Sequence, residues 1–396
     1  MSVRLRETAD LVTSCVASGP RPFIALEHLD GGTGRLVADV DLPERTAPET
    51  GAASVEPGDV LFGKLRPYLA KTWLADRPVF ASTELLCLRP RTGVDNRWLA
   101  YVVASNPVVE WAIATSDGTK MPRTSWEKLA EFRIQNPPLA RQRAIADYLD
   151  RETARIDALI EKKQRMIELV KMRFWTALVD DVLQLDVPIT PLRRALSFLT
   201  DGPFGSAFAS QDYSEDGAAV VRLGNIGYAE YTSAEQAFIP LGMYRMFLRH
   251  SVKTGDLLIA GLGDPSNHPG RACVSPDLGP AMVKGKCFCA HVDSKMATPE
   301  YLALLLSSPY GAQAVGASGR GSTRTMINLE IIKETPLPLP SVPDQERIVQ
   351  TAKCHRSRTR SLVVALTEQI SRLGEHRRAL ITAVVTGEVD VPEAAA

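Results

Sequence analysis

The sequence predicts an α+β fold: two globular domains of mixed helix and strand, separated by two long antiparallel α-helices that form a coiled-coil spacer, in an internal pseudo-two-fold repeat. Three observations lead there. The second half shadows the first at a nearly constant distance. Within each half, glycine, proline and short β-type runs dominate until close to the end. Each half then finishes on a long stretch whose apolar residues recur every three or four positions.

The repeat is read directly from paired segments. Val55-Glu56-Pro57-Gly58-Asp59-Val60-Leu61 returns as Val252-Lys253-Thr254-Gly255-Asp256-Leu257-Leu258 at an offset of 197, which also sets Leu29 against Ile226. Farther on, Cys87 faces Cys289 at 202, and Leu99-Ala100 faces Leu302-Ala303 at 203. That last offset holds through Glu127 and Glu330 to Gln142-Arg143-Ala144-Ile145, opposite Gln345-Glu346-Arg347-Ile348. About six residues are therefore inserted within the second copy of a unit of about 190 residues, used twice.

The texture places the boundaries. Residues 1–136 and 186–340 are predicted as the two mixed domains, with strands such as Val79-Phe80-Ala81-Ser82-Thr83-Glu84-Leu85-Leu86. Residues 137–185 form the first helical spacer region, and residues 341–396 the second with the C-terminal tail. Pro137-Pro138, and Pro340 with Pro343, stand just before the helices, where the first N–H groups lack helical partners anyway. The first apolar stripe includes Ile156, Leu159, Ile160, Ile167 and Val170; the second includes Leu362, Leu366, Ile370 and Leu373 and is interrupted by Gly374. At 1.5 Å per residue the first run could extend roughly 60 Å. Each stripe needs a cover, and packing the two together supplies it.

Composition supports two folded cores: 396 residues, of which 45% are hydrophobic and 23% charged, can bury both. No apolar run approaches the roughly 18 residues of a membrane span, and the first ten residues lack a signal-peptide layout, so a cytoplasmic location is expected. Six scattered cysteines suit a reducing compartment. Cys287-Phe288-Cys289 has no second ligand pair nearby, so these read as buried strand cysteines, and no metal site is expected. With 46 basic and 46 acidic residues, no overall field attracts phosphate. Any nucleic-acid contact must come from local clusters.

Three tracts carry a resemblance. They are Leu61-Phe62-Gly63-Lys64-Leu65-Arg66-Pro67-Tyr68-Leu69; the stretch from Pro137-Pro138-Leu139-Ala140-Arg141-Gln142 through Ile156-Asp157-Ala158-Leu159-Ile160; and Leu380-Ile381-Thr382-Ala383-Val384-Val385-Thr386-Gly387-Glu388-Val389-Asp390-Val391. Together they resemble the specificity subunit of Type I restriction-modification systems, along the whole chain. Asp201-Gly202-Pro203-Phe204-Gly205-Ser206, followed by Asp212-Tyr213, resembles the opening of that family's recognition domain. The first copy departs from it, with Phe23-Ile24-Ala25-Leu26-Glu27-His28-Leu29 and no Gly-Pro-Phe-Gly. The resemblance implies that each mixed domain is a target-recognition domain reading one half of a split double-stranded DNA site, and that the helices hold the two domains apart and dock two methyltransferase subunits. It also implies a chain without catalysis of its own: adenine-N6 methylation with S-adenosylmethionine, and cleavage by restriction subunits with ATP and Mg²⁺, belong to the partners. No cofactor site for any of them is legible in this chain. Two readers on one face of a duplex are phased by about one turn, roughly 34 to 36 Å, and differing side chains in the two copies imply an asymmetric, interrupted target.

Candidate DNA contacts follow from charge and flexibility. Gly118-Thr119-Lys120-Met121-Pro122-Arg123-Thr124-Ser125 and Gly319-Arg320-Gly321-Ser322-Thr323-Arg324-Thr325 are basic and hydroxyl-rich and fall at equivalent places in the repeat. Lys120, Arg123 and Thr124 in one, and Arg320, Ser322, Thr323 and Arg324 in the other, suit contacts to bases and phosphates, because arginine bridges guanine O6 and N7 while lysine, serine and threonine mostly hold phosphates. The plain alternative is a solvated loop with a helix cap at Ser125 or Asn328. Lys64, Arg66, Tyr68 and Lys71 form a second basic and aromatic cluster, although the aligned residues 260–264 are neutral or acidic. Arg356, Arg358 and Arg360 face either DNA, a partner or solvent.

Competing chemistry is thin. Asn136-Pro137-Pro138-Leu139 resembles an adenine-methyltransferase motif, but Leu139 stands where a ring must stack on the flipped base. Gly31-Gly32-Thr33-Gly34 lacks the strand-turn-helix context of a cofactor loop. Pro276-Asp277 with Asp293-Ser294-Lys295 matches a loose metal-nuclease pattern, for which a turn or capping role is sufficient. None of the six histidines pairs in a motif with a nucleophile. The remaining alternative is a coiled-coil scaffold without DNA binding, which accounts for the neutral charge but not for duplicated domains with matched basic loops.

Overall fold

The computed structural model describes residues 1–13, 19–46, 53–203, 210–318 and 326–391. The chain divides into two compact units: Met1–Arg165 with Leu366–Ala396, and Met166–Ala365.

In the first unit, one four-stranded antiparallel sheet runs Ala9–Leu11, Leu85–Pro90, Val60–Gly63, Thr72–Leu74 in spatial order. A second runs Glu44–Arg45, Arg21–Ile24, Val79–Ala81, Ala53–Val55, with a parallel pair between Arg21–Ile24 and Val79–Ala81. The buried strand Val60–Gly63 explains why its sequence is continuously apolar rather than alternating. Successive side chains point to opposite faces. Leu61 enters a core between the sheets with Ile24, Val55, Val79 and Cys87. Val60 and Phe62 enter another, built with Trp98, Leu99, Val102 and Val103 of the helix Asn96–Ala104.

That second core also takes Ile145, Ala146 and Leu149 from the first long helix, Leu139–Leu183, and Ile381, Val384 and Val385 from the second, Val342–Thr386. At about 1.5–3 kcal/mol for each buried aliphatic side chain, as an upper bound, the last three alone supply several kcal/mol to hold the end of the second helix in this unit. The helices are antiparallel here: Lys163 bonds Gln369, Asp157 pairs with Arg377, and Arg141 pairs with Asp390. Gly374 does not break the second helix. It ends at Gly387, whose φ of 80° L-residues rarely adopt, and the tail turns back so that Arg141 donates to the Val391 carbonyl at 2.6 Å. The tract Val-Thr-Gly-Glu-Val-Asp-Val is thus a helix stop followed by an anchor.

The second unit repeats this plan strand for strand. Its sheets run Leu196–Asp201, Cys287–Val292, Leu257–Ala260, Ala272–Val274 and Ala237–Ile239, Ala218–Val221, Ala281–Val283, Ser251–Val252. Leu258, Cys287 and Cys289 lie between the sheets, while Leu257, Ile259 and Phe288 face the helices, including Phe174 and Leu178 of the first long helix. The buried strand cysteines are as the sequence reading expects. The inserted residues are spread rather than clustered: the offset is 197 at Val60 and Leu257, 200 at Thr72 and Ala272, 202 at Val79 and Ala281, and 203 from Asn96 and Pro299 onward.

Along the helices, Ile156 and Leu366 are buried, and Ile160, Ile167, Val170, Ile370 and Leu373 are half-buried. Leu159 and Leu362, expected to pack between the helices, are 46% and 43% exposed. No described helix is long and apolar enough to cross a membrane.

Candidate nucleic-acid interface

The two basic clusters that the sequence singles out in the first copy meet. Residues 117 and 123 exchange backbone hydrogen bonds of 2.9 Å each way, closing the loop, and Gly118 turns it at a φ of 85°. The same loop is stitched to the other cluster: Thr124 N–H donates to the Lys64 carbonyl at 3.0 Å, and Arg66 N–H to the Pro122 carbonyl at 2.8 Å. The short turn Pro67–Leu69 is flanked by Arg66 and Ala70, both left-handed, and presents Tyr68 to solvent.

Within this patch the side chains diverge. Lys120, Arg66 and Tyr68 are exposed, and Arg123 is exposed while bound to Glu84 at 2.9 Å. Lys64 is half-buried. Lys71 is turned inward, its ammonium donating to the Leu26 carbonyl at 2.9 Å, and Thr124 is 3% exposed with no partner for its hydroxyl among the described residues. A hydroxyl so placed contributes to the loop's base rather than to its surface. Ser125 precedes the helix Trp126–Leu129, and its hydroxyl, with the backbone N–H of Glu127, holds the Glu127 carboxyl below its ordinary range.

In the second copy Arg320, Ser322, Thr323 and Arg324 lie outside the described residues. The frame on either side is the same: Leu262 bridges Met326 as Leu65 bridges Arg123, and Ile327 N–H donates to the Gly261 carbonyl at 2.9 Å as Thr124 does to Lys64. Asn328 caps the helix Leu329–Glu334 through Ile331 N–H at 2.9 Å. Gly202 packs where an added Cβ would stand 2.4 Å from the Lys284 backbone, so only glycine fits. Phe204, Gly205 and Ser206 lie outside the described residues.

The competing motifs resolve into architecture. Asn136 and Pro137 accept from the buried amide of Gln142, which itself accepts from Asp95 N–H at 2.8 Å. Gln345 does the same in the second copy, linking Thr298 N–H to the Met296 and Pro340 carbonyls. Gly31 allows close approach to the Leu69 carbonyl, and the Gly32 and Thr33 carbonyls receive the guanidinium of Arg377 at 3.0 and 2.7 Å. Asp277 and Asp293 each accept from backbone N–H groups two residues on.

Arg356 is the counterpart of Arg377. It turns inward to the carbonyls of Tyr228 and Ala229, which occupy the repeat positions of Gly31 and Gly32, and burial draws its pKa down. Arg360 pairs with Glu230, and Arg358 is exposed. Sequence reasoning missed the roles of Gln142, Gln345 and Arg377. The first two leave a signal in identical residues at an offset of 203; the third leaves none, because Arg377 aligns with Phe174 and Arg356 with Thr153.

Residues 10–169 match the family described as the Type I restriction modification DNA specificity domain. The specificity subunit of the Type I restriction enzyme EcoDI from Escherichia coli is 24% identical over 168 residues, 41% of this chain and 36% of that protein, so the match spans about a third of that relative. A chain solved in work on complex assembly and conformational transition of the type I R-M system has the same fold, with a TM-score of 0.70 at 17% identity over 98% of both chains.

Proposed function

Since residues 10–169 match the family described as the Type I restriction modification DNA specificity domain, and the second unit repeats the fold of the first, we propose that this chain is the DNA sequence-recognition subunit of a Type I restriction-modification complex. Each recognition domain reads one half-site of a bipartite, asymmetric target, and the helical regions carry two methyltransferase subunits. Adenine-N6 methylation with S-adenosylmethionine, and restriction with ATP and Mg²⁺, are the work of those methyltransferase and restriction subunits; this chain directs them and catalyses nothing itself.

The observation that supports this reading best is the recurrence, in both copies, of the same backbone frame, Leu65 with Arg123 and Leu262 with Met326, flanking a segment whose sequence is basic in each. In a chain of zero formal net charge such local clusters must supply the phosphate attraction. In the first copy the exposed members are Lys120, Arg123, Arg66 and Tyr68; in the second, Arg320 and Arg324 hold the equivalent sequence positions.

The test is DNA affinity against salt for the assembled complex, with Lys120 and Arg123 both changed to alanine, and separately Arg320 and Arg324. If both side chains of a pair hold phosphates, the slope of log K against log salt falls by about 1.8. If an arginine reads guanine, specificity at one base pair relaxes by about 1–3 kcal/mol. Unchanged affinity and slope in both double variants would leave a coiled-coil scaffold.

A further inference from the structure

Asp59 and Asp256 occupy the same position in the two copies, each at the start of a central strand and each 2% to 7% exposed. Both accept a backbone N–H three residues back, Glu56 at 2.8 Å and Lys253 at 2.7 Å, and both face a buried cysteine on the neighbouring strand, Cys87 and Cys289. A buried carboxylate with only one backbone N–H and a weak thiol donor is costly, and a positive charge beside it offsets that cost. The first copy brings its own. Arg89, two residues beyond Cys87 on the same face of the strand, grips Asp59 with two hydrogen bonds of 2.8 and 2.7 Å.

The second copy has His291 in that place. Its Nε2 stands 3.4 Å from Asp256 Oδ2, beyond the 2.7–2.9 Å of a charge-assisted hydrogen bond. Cys289 Sγ is likewise 3.4 Å from the same oxygen, and the three ligand atoms lie within 4.8 Å of one another. Two of the three separations, those of 3.4 Å to Asp256, match edges of a coordination polyhedron, and the third, between Cys289 and His291, lies within 4.8 Å and closes by about 1 Å when an ion is bound. With metal–sulfur bonds of about 2.3 Å and metal–nitrogen or metal–oxygen bonds of about 2.0–2.2 Å, a tetrahedral ion separates its ligands by roughly 3.3–3.6 Å. Phe198 packs on the imidazole at 4.8 Å between ring centroids, which orients it, and the histidine side chain is one-third exposed, which leaves a way in.

We propose that Asp256, Cys289 and His291 bind a zinc-like divalent cation, which does in the second recognition domain what the Arg89 guanidinium does in the first. Binding releases the Cys289 thiol proton to solvent; thiolate and carboxylate then balance the two positive charges, the imidazole binds as a neutral ligand, and water takes the fourth position. The ion ties the start of the strand Leu257–Ala260 to the strand Cys287–Val292. The sequence hid the set because its obvious pair was Cys287 with Cys289, whereas the partners are an acid from another strand and a histidine.

The full chain, stripped with a chelator, is titrated with Co²⁺ and followed by absorption. The expected result is one equivalent bound, with a thiolate-to-cobalt charge-transfer band that Zn²⁺ displaces. His291→Arg rebuilds the arrangement of the first copy, so the chain should fold, by circular dichroism, and lose the band, with affinity weakened by at least about 100-fold, because even outer-sphere partners of metal ligands are worth 10–100-fold. Cys289→Ser should lose it as well, while Cys354→Ser, at an exposed cysteine, should keep it. No band in the unaltered chain, or a band that survives His291→Arg or Cys289→Ser, overturns the proposal.

Discussion

Replacing Gln345 with methionine keeps the volume and removes the hydrogen bonds. Its amide is fully buried and serves three backbone groups: it accepts from Thr298 N–H at 2.9 Å and donates to the Met296 and Pro340 carbonyls at 3.0 and 2.8 Å. Thr298 caps the helix Pro299–Ser307, and Pro340 precedes the second long helix, so the amide fastens both to one point. With about 1 kcal/mol net for each bond, and more for a buried donor left unmet, the loss comes to about 3 kcal/mol. At 1.4 kcal/mol per decade that is roughly a 100-fold rise in the exchange rate of amides that open only with the unit. Hydrogen exchange by mass spectrometry should show it at Leu257–Ala260 and Cys287–Val292, with Val60–Gly63 as the internal reference. Gln142→Met should do the converse, because Gln142 makes the corresponding bonds to Asp95 N–H, Asn136 and Pro137. A change below about threefold, or one shared equally by both units, would refute this reasoning.

Three further outcomes are expected. Arg377→Met, which breaks a buried pair with Asp157 at 3.0 Å and frees the Gly32 and Thr33 carbonyls, should destabilise the first unit by about 2–3 kcal/mol, less than the 3–5 typical of such pairs because Arg35 still reaches Asp157 at 2.9 Å; in a cycle with Asp157→Ala, measured by denaturant midpoint, the two losses should not add. Gly202→Ala puts a carbon 2.4 Å from backbone and should lower the melting midpoint of the second unit by several degrees, and an unaltered midpoint would contradict the packing. Burial pushes the thiols of Cys273 and Cys287 up to about 12. Their protonated forms are favoured in the folded state, so that contribution is whole below the unfolded value of about 8.5 and is lost as pH rises toward 12. Alkylation at pH 8 should accordingly label Cys354 and spare both, and stability in urea should decline across that alkaline window.

The architecture was legible because it rests on periodicity. A strand such as Val60-Leu61-Phe62 that feeds two cores must be apolar throughout, and a helix that closes one core while flanking a second helix must carry a stripe; both are patterns in one dimension. Residues whose roles depend on distant partners were not legible. Lys71 and Thr124 read as surface cations and hydroxyls because their neighbours are, yet Lys71 answers a carbonyl 45 residues away and Thr124 sits beneath the loop. Arg377 and Arg356 hold equivalent loops from positions that do not align, since both lie on the second long helix, Arg377 in the unit of the first copy and Arg356 in that of the second. His291 looked like one histidine of six until the fold set it against Asp256 and Cys289.

The most direct test of DNA recognition is to co-express the chain with the methyltransferase subunit proposed as its partner in a host without adenine methylation and to map modified adenines across the genome by single-molecule sequencing. The account predicts methylation confined to one split, asymmetric motif, absent when this chain is omitted, and altered in only one half of the motif when the Lys120 and Arg123 loop is exchanged for that of a different recognition domain. Methylation that is unchanged without the chain would contradict it.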